Sequence, residues 1–112
     1  MFIMKVKEEY FEKIKMGAKI YEVRLLDEKR KQFKINDTIL LKKEPELFEG
    51  IVIRIVDIKY FNSFYEMAER LSLKDIGFEN KTAKEVEEIY HSFYSEEDEK
   101  KYGVVAFKME VL

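Results

Sequence analysis

The sequence predicts an α+β domain: a curved or closed β-sheet decorated by helices. Two observations carry that reading. Apolar periodicity gives the order β-α-β-(α)-β-β-α-α-β, in which helices do not alternate strictly with strands, as a doubly wound parallel sheet would require. The third and fourth strands are joined by a short connection suited to a hairpin, which argues for antiparallel pairing and a barrel-like closure. A length of 112 residues with 46% hydrophobic side chains fits one domain over residues 1–112 with one buried core.

Each element has a local cause. Residues 2–7 alternate Phe2 and Met4 with Ile3 and Lys5, the period of a strand. Glu8–Met16 has Tyr10, Phe11 and Ile14 on one helical face, and Glu8 and Glu9 suit its N-terminus. Gly17 ends it, where a left-handed residue is commonly required. Lys19–Leu26 is a strand by alternation and by its content of Ile, Tyr and Val. Asp27–Phe33 is a short charged helical turn. Asn36 and Asp37 make a turn into the strand Ile39–Lys42. A loop, Glu44–Gly50, leads to the long strand Ile51–Tyr60.

Ser63-Phe-Tyr-Glu66 is a capping box opening a helix through about Leu73, with Phe64, Met67, Ala68 and Leu71 inward. Thr82-Ala-Lys-Glu85 is a second one, opening a helix with Val86, Ile89, Tyr90 and Phe93 inward. Ser95 caps a last acidic turn ending near Gly103. Val104–Val111 is the terminal strand, with Val105, Phe107, Met109 and Val111 on one side.

Composition narrows the function. With no cysteine, thiolate zinc sites, disulfides and thiol nucleophiles are excluded, and a single histidine argues against a histidine-rich metal centre or a Ser-His-Asp triad. His91 lies opposite its helix's apolar stripe and reads as a surface residue. No Gly-rich phosphate loop and no metal-ligand spacing appear, so neither cofactor nor metal is expected. No apolar run approaches the roughly 20 residues of a membrane span, and the first residues are too short and charged for a signal peptide; a cytoplasmic location and no membrane partner are expected. The Lys- and Glu-rich, Gln- and Pro-poor balance resembles proteins adapted to heat.

Net charge is −2, which excludes a wholesale nucleic-acid-coating protein, yet residues 13–43 sum to +6 and residues 44–112 to −7. Such a basic segment either presents a local anion site or is neutralised within the molecule. Lys29, Arg30, Lys31, Lys34, Lys42 and Lys43 can follow a phosphate backbone or form an ordinary solvated run. Tyr60, Phe61, Phe64 and Tyr65 can stack a base, although burial in the core is the more economical reading.

The chemistry-bearing segment is Gly17-Ala-Lys19-Ile-Tyr-Glu22-Val-Arg24. In a strand, Tyr21, Val23 and Leu25 share an apolar face, while Ile20, Glu22 and Arg24 share the other, successive ones about 7 Å apart. Arg24 can take a phosphate or carboxylate bidentately, and Glu22 can accept from an amine or orient a cation. The same spacing also suits a simple Glu22–Arg24 pair. As cleft residues, Lys19, Glu22 and Arg24 are expected to contribute little to folding, within about 0.5 kcal/mol for an exposed charge.

Gly17-x-Lys19-x-x-Glu22-x-Arg24 matches the GxKxxExR signature, and in this the chain resembles the ASCH domain family of the PUA-like superfamily. The resemblance continues through Lys34-Ile-Asn-Asp-Thr-Ile39, with Asn36 where glycine is usual, to Ser63-Phe64 and to Tyr102-Gly-Val-Val-Ala106. It implies a small PUA-like β-barrel of five or six strands flanked by helices. It also implies a cleft lined by Lys19, Glu22 and Arg24, with RNA or a nucleotide-like small molecule as partner. Lys29, Arg30 and Lys31 are then candidates for the same ligand. Some bacterial ASCH proteins hydrolyse N4-acetylcytidine with a Lys, a Thr and a Glu. The resemblance puts these on Lys19, on Glu22 (a departure from threonine) and on Glu85, the candidate catalytic set if the chain is a hydrolase of that kind or a ribonuclease. Glu85 also has a structural job as third residue of the Thr82 capping box.

Overall fold

The computed structural model describes residues 1–112 and contains five strands and four α-helices. In chain order they are β1 (Phe2–Val6), α1 (Glu8–Lys15), β2 (Tyr21–Leu25), β3 (Thr38–Lys43), β4 (Gly50–Phe61), α2 (Phe64–Arg70), α3 (Ala83–His91), α4 (Glu96–Tyr102) and β5 (Val104–Val111). A 3₁₀ turn, Arg30–Gln32, takes the place of the charged helical turn. The strands form one curled half-barrel sheet in the order β1-β3-β4-β5-β2, parallel only between β1 and β3. The α+β barrel-like class is therefore observed, with five strands.

Local signals placed most boundaries. Gly17 takes φ +84° after α1, and Asn36, at the position where the resemblance expects glycine, takes φ +79°. Asparagine is among the few residues that tolerate that region, which explains the exchange. Ser63, Thr82 and Ser95 each accept a backbone N–H of the third helical residue. Thr82 and Glu85 complete a reciprocal capping box, whereas Glu66 reaches back to the N–H of Asn62 instead. Helix α2 stops at Arg70, short of Leu73, because Leu71 is extended. Strand β2 starts at Tyr21, two residues after Lys19, and the N–H groups of Ile20 and Tyr21 both bond to the Asp75 carbonyl.

Alternation splits the core between two faces of the sheet. Met4, Val6, Ile39, Leu41, Ile53, Ile55, Val105, Phe107 and Met109 pack with Phe11, Ile14 and Phe33 on the side covered by α1. Tyr21, Val23, Leu25, Val104 and Ala106 pack against α2, α3 and Ile76–Phe78 on the other. Val111 runs beyond this packing and is exposed. A β-bulge between Ile55 and Asp57 of β4 breaks the register with β5, the local device that curls a sheet.

The two edge strands, β1 and β2, do not pair with each other. In β2, Glu22 stands opposite Phe107 and Arg24 opposite Val105, so both project from the face that carries the first core. A carboxylate and a guanidinium thus sit where an apolar residue would continue the core, at the seam where the barrel does not close.

Candidate functional site

The seam is a cleft of about 210 Å³ built by β1, α1, β2 and α3. Lys5, Val6, Lys7, Tyr10 and Glu44 line it from one side, Lys19, Glu22, Val23 and Arg24 from another, and Phe78, Ile89, Tyr90, Phe93 and Tyr94 from the third.

Its floor is ionic. Lys19 and Glu22 are 4% and 8% exposed, unusual for charged residues unless they are paired. Glu22 uses both oxygens: Lys19 Nζ donates to Oε1 at 2.8 Å, and Arg24 Nε donates to Oε2 at 2.7 Å. Lys19 also donates to the Tyr21 carbonyl. Burial alone would raise the Glu22 pKa, but the charges of Lys19 and Arg24 and their hydrogen bonds outweigh it and bring it down to about 2. Burial works against the Arg24 charge in the same way, and Glu22 overcomes it, so the Arg24 pKa moves up.

Local geometry fixes Lys19. Gly77 packs directly on its stem: a Cβ there would lie 3.0 Å from Lys19 Cδ, and φ is +91°. Lys13 Nζ donates to the Gly77 carbonyl at 2.9 Å, tying this turn back to α1.

The walls are aromatic. Phe64, fully buried, is stacked by Tyr90 (centroids 4.5 Å apart) and by Tyr94 (5.5 Å). Tyr10 meets Phe78 edge-on at 5.5 Å, and Phe78 meets Tyr90 at 6.0 Å. Burial first, then the Glu22 charge, pushes the Tyr90 phenol well up. Burial, with Glu9 and Glu22, raises that of Tyr10. Both remain neutral phenols near pH 7, able to donate and to accept. The hydrogen bonds that close the floor join Lys19, Glu22, Arg24 and backbone carbonyls and use no phenolic hydroxyl.

Lys19, Glu22 and Arg24 are thus brought together, and the Glu22–Arg24 pair and the cleft turn out to be the same feature. The burial of Lys19 and Glu22, with Arg24 half-buried beside them, overturns the expectation that they are exposed charges dispensable for folding: removing one partner leaves a buried charge unpaired. The remaining candidates stand elsewhere. Glu85 is exposed, its carboxylate accepts from the Thr82 N–H at 2.9 Å, and it is not among the cleft residues. Helical spacing explains this, since α3 meets the cleft only at its C-terminal end, from Ile89 onward.

Lys29, Arg30 and Lys31 lie on the 3₁₀ turn and its N-cap, away from the cleft; Arg30 pairs with Asp27 and Lys31 with Glu28, both at 3.2 Å. Lys43 is surrounded by Glu8, Glu12 and Glu49, so much of the +6 segment is neutralised within the molecule. Of the four aromatic candidates, Phe64 is core, and none of the four lines the cleft. His91 is not an idle surface residue: its Nε2 lies 2.9 Å from Oε1 of buried Glu99, whose other oxygen accepts the Phe64 N–H.

Sequence reasoning missed Lys5, Lys7, Tyr10, Glu44, Phe78 and Tyr94 as cleft residues, and took Tyr90 and Phe93 for core. A signal was present in the tyrosines: an apolar stripe carrying phenols offers polar tips that a core cannot satisfy.

The ASCH domain family profile matches residues 4–112. The chain is similar to the crystal structure of hypothetical protein PH0355, with 39% identity over 99% of this chain and 98% of that one and a TM-score of 0.88. It is also similar to the solution structure of protein PF0455 from Pyrococcus furiosus, with 39% identity, 99% and 96% coverage and a TM-score of 0.77. Protein EF3133 from Enterococcus faecalis, 13% identical, shares the fold with a TM-score of 0.70 over all of this chain and 76% of its own. No curated protein matches. With the family profile spanning nearly the whole sequence, and a solved structure 39% identical over 99% of it, the chain belongs to the ASCH domain family.

Proposed function

We propose that this protein is a binding module that takes RNA or a nucleotide-like molecule into the cleft between β1, β2 and α3. Membership of the ASCH family supports a nucleic-acid-related role in general. The observation that carries the specific reading is the meeting of buried Lys19 and Glu22 and half-buried Arg24 with a wall of Tyr10, Phe78, Tyr90, Phe93 and Tyr94. Aromatic faces stack bases, and cations beside them attract phosphate. Four cationic side chains line the cleft against two carboxylates, so its local balance is positive although the whole chain is not.

Binding is favoured over hydrolysis by what the three candidate catalytic residues do. Lys19 Nζ is already engaged, donating to a carboxylate and to a carbonyl, which suits a positioned donor better than a nucleophile. Glu22, with a pKa near 2, is a poor base at neutral pH. Glu85 caps a helix outside the cleft.

Isothermal titration at low and moderate salt with nucleoside monophosphates and short single-stranded RNA tests the reading. Saturable binding that weakens with Arg24→Ala supports it, and a shallow salt slope is expected because few phosphates are engaged. Absence of binding to every probe at low salt refutes it. Turnover of N4-acetylcytidine or labelled RNA that is lost in Lys19→Ala would replace it by the hydrolase alternative.

A further inference from the structure

We infer that the main-chain N–H and C=O of Val23 read the ligand in the cleft, by bonding a nucleobase along its Watson–Crick edge. This rests on the proposed nucleotide-binding function and names the part of the nucleotide that is recognised. The phase of the β2–β5 ladder carries it, because antiparallel strands bond through alternate residues. The Ile20 carbonyl accepts from the Met109 N–H, and the Leu26 N–H donates to the Gly103 carbonyl, so between them Glu22 and Arg24 are the residues bonded to β5. Tyr21, Val23 and Leu25 therefore turn their main chain to the open edge of β2. Tyr21 is engaged there: its N–H donates to the Asp75 carbonyl and its carbonyl accepts from Lys19. Leu25 does not line the cleft. Val23 does, and no group of the chain bonds its N–H or C=O. Across the seam β1 is arranged alike: the Val6 carbonyl accepts from the Glu44 N–H, so Lys5 turns the other way, where Arg24 takes its carbonyl.

Val23 is 2% exposed and its side chain packs in the second core. A main-chain donor and acceptor so far removed from bulk water cost free energy while unbonded, and a ligand that bonds both relieves that cost. The other polar groups of the cleft discriminate less. Both oxygens of Glu22 are already engaged, and the phenolic hydroxyls of Tyr10 and Tyr90 rotate to donate or accept. The strand edge instead presents a fixed donor beside a fixed acceptor. Every nucleobase carries the complement, an acceptor beside a donor, on its Watson–Crick edge, which proteins read in unpaired RNA. A base bound this way extends the sheet as an added strand would, and turns one face to the side where Phe78 and Tyr90 pack.

Calorimetric titration of the full chain with the four nucleoside 5′-monophosphates first identifies the tightest binder. Its counterpart without the edge donor is then compared: N3-methyl-UMP, N1-methyl-GMP, N6,N6-dimethyl-AMP or N4,N4-dimethyl-CMP, each with an uncharged base. A 2′-O-methyl version of the same nucleotide controls for added bulk. The edge-methylated probe leaves the Val23 carbonyl unpaired and should bind roughly tenfold or more weakly, whereas the 2′-O-methyl probe should stay within about threefold of the parent. Equal losses, or no loss at the edge, overturn the inference and leave nucleotide binding intact. If none of the monophosphates binds, the inference falls, and short single-stranded RNA titrated in the same way decides whether the underlying reading falls with it. Val23→Pro deletes the N–H and keeps an apolar side chain, a change that an edge strand tolerates where the N–H lies outside the ladder; it should weaken the best nucleotide roughly tenfold. The wild-type amide spectrum decides should that variant not fold. At saturation the Val23 amide proton should move downfield, and those of Glu22 and Arg24, already bonded to β5, should move less. A Val23 amide unmoved by saturating nucleotide overturns the inference.

Discussion

Arg24 on β2 donates through Nη2 to the backbone carbonyl of Lys5 on β1, 3.0 Å away, so a side chain joins two edge strands that share no backbone ladder. The same guanidinium holds Glu22 at 2.7 Å. One residue thereby closes the seam and charges the cleft, and its substitution should affect stability and binding together.

Arg24→Ala should cost about 3 kcal/mol of stability, because it leaves buried Glu22 with Lys19 alone and unties β1 from β2. Arg24→Lys should recover part of this, since a point charge can meet Glu22 but cannot fork to Lys5 as well. Urea denaturation of both variants checks it. A loss below about 0.5 kcal/mol for the alanine variant, the scale of an exposed charge, would contradict the burial argument.

The Glu22 carboxyl makes stability pH-dependent in acid. Its folded pKa is about 2 against an ordinary 4.5, so the ionised form stabilises the fold. That contribution, about 3 kcal/mol, is complete above pH 4.5 and is lost as the pH falls toward 2. Denaturation midpoints at pH 7, 4.5, 3 and 2 should fall more steeply in the wild type than in Glu22→Gln, which lacks the titrating group. Parallel curves would show that Glu22 is not held ionised by Lys19 and Arg24.

Gly77→Ala and Gly17→Ala form a matched pair. Both glycines have positive φ, +91° and +84°, and either substitution should cost about 1 kcal/mol or more in backbone strain. Only Gly77 touches Lys19; nothing lies within 4 Å of a Cβ at Gly17. Gly77→Ala should therefore shift the Lys19 side-chain resonances and weaken nucleotide titration, and Gly17→Ala should do neither. Equal effects of the two on the Lys19 resonances would remove the positioning role of Gly77.

Glu85→Ala should lower the melting temperature modestly, through the broken capping box. Nucleotide titration should be unchanged. Phe107→Ala, fully buried beneath the same sheet, should cost roughly 3–5 kcal/mol and sets the scale of a core defect. A Glu85→Ala protein of normal stability that has lost binding or turnover would return Glu85 to the site.

Residues near one another in sequence determined what local chemistry can determine. Gly17, Ser63, Thr82 and Ser95 fixed helix ends because caps and left-handed residues act over three or four positions. Period-two alternation placed Tyr21, Val23 and Leu25 in the core and turned Glu22 and Arg24 the other way. The GxKxxExR spacing named Lys19, Glu22 and Arg24, which meet in the cleft, but not Lys5, Lys7 or Glu44, which line it too.

Tertiary structure decided the rest. Pairing β2 with β5 at the far edge of the sheet set Glu22 and Arg24 beside Phe107 and Val105, so charges that read as solvated became mutually dependent, Glu22 buried and Arg24 half-buried. Folding α3 over the seam brought Tyr90 and Tyr94 to residues some 70 positions earlier and left Glu85, one turn and more before Tyr90 on the same helix, outside. Hydrophobic periodicity reports only that a side chain is removed from bulk water. Whether it meets packed core or the wall of a cleft depends on which element lies opposite, and that is a property of the whole chain.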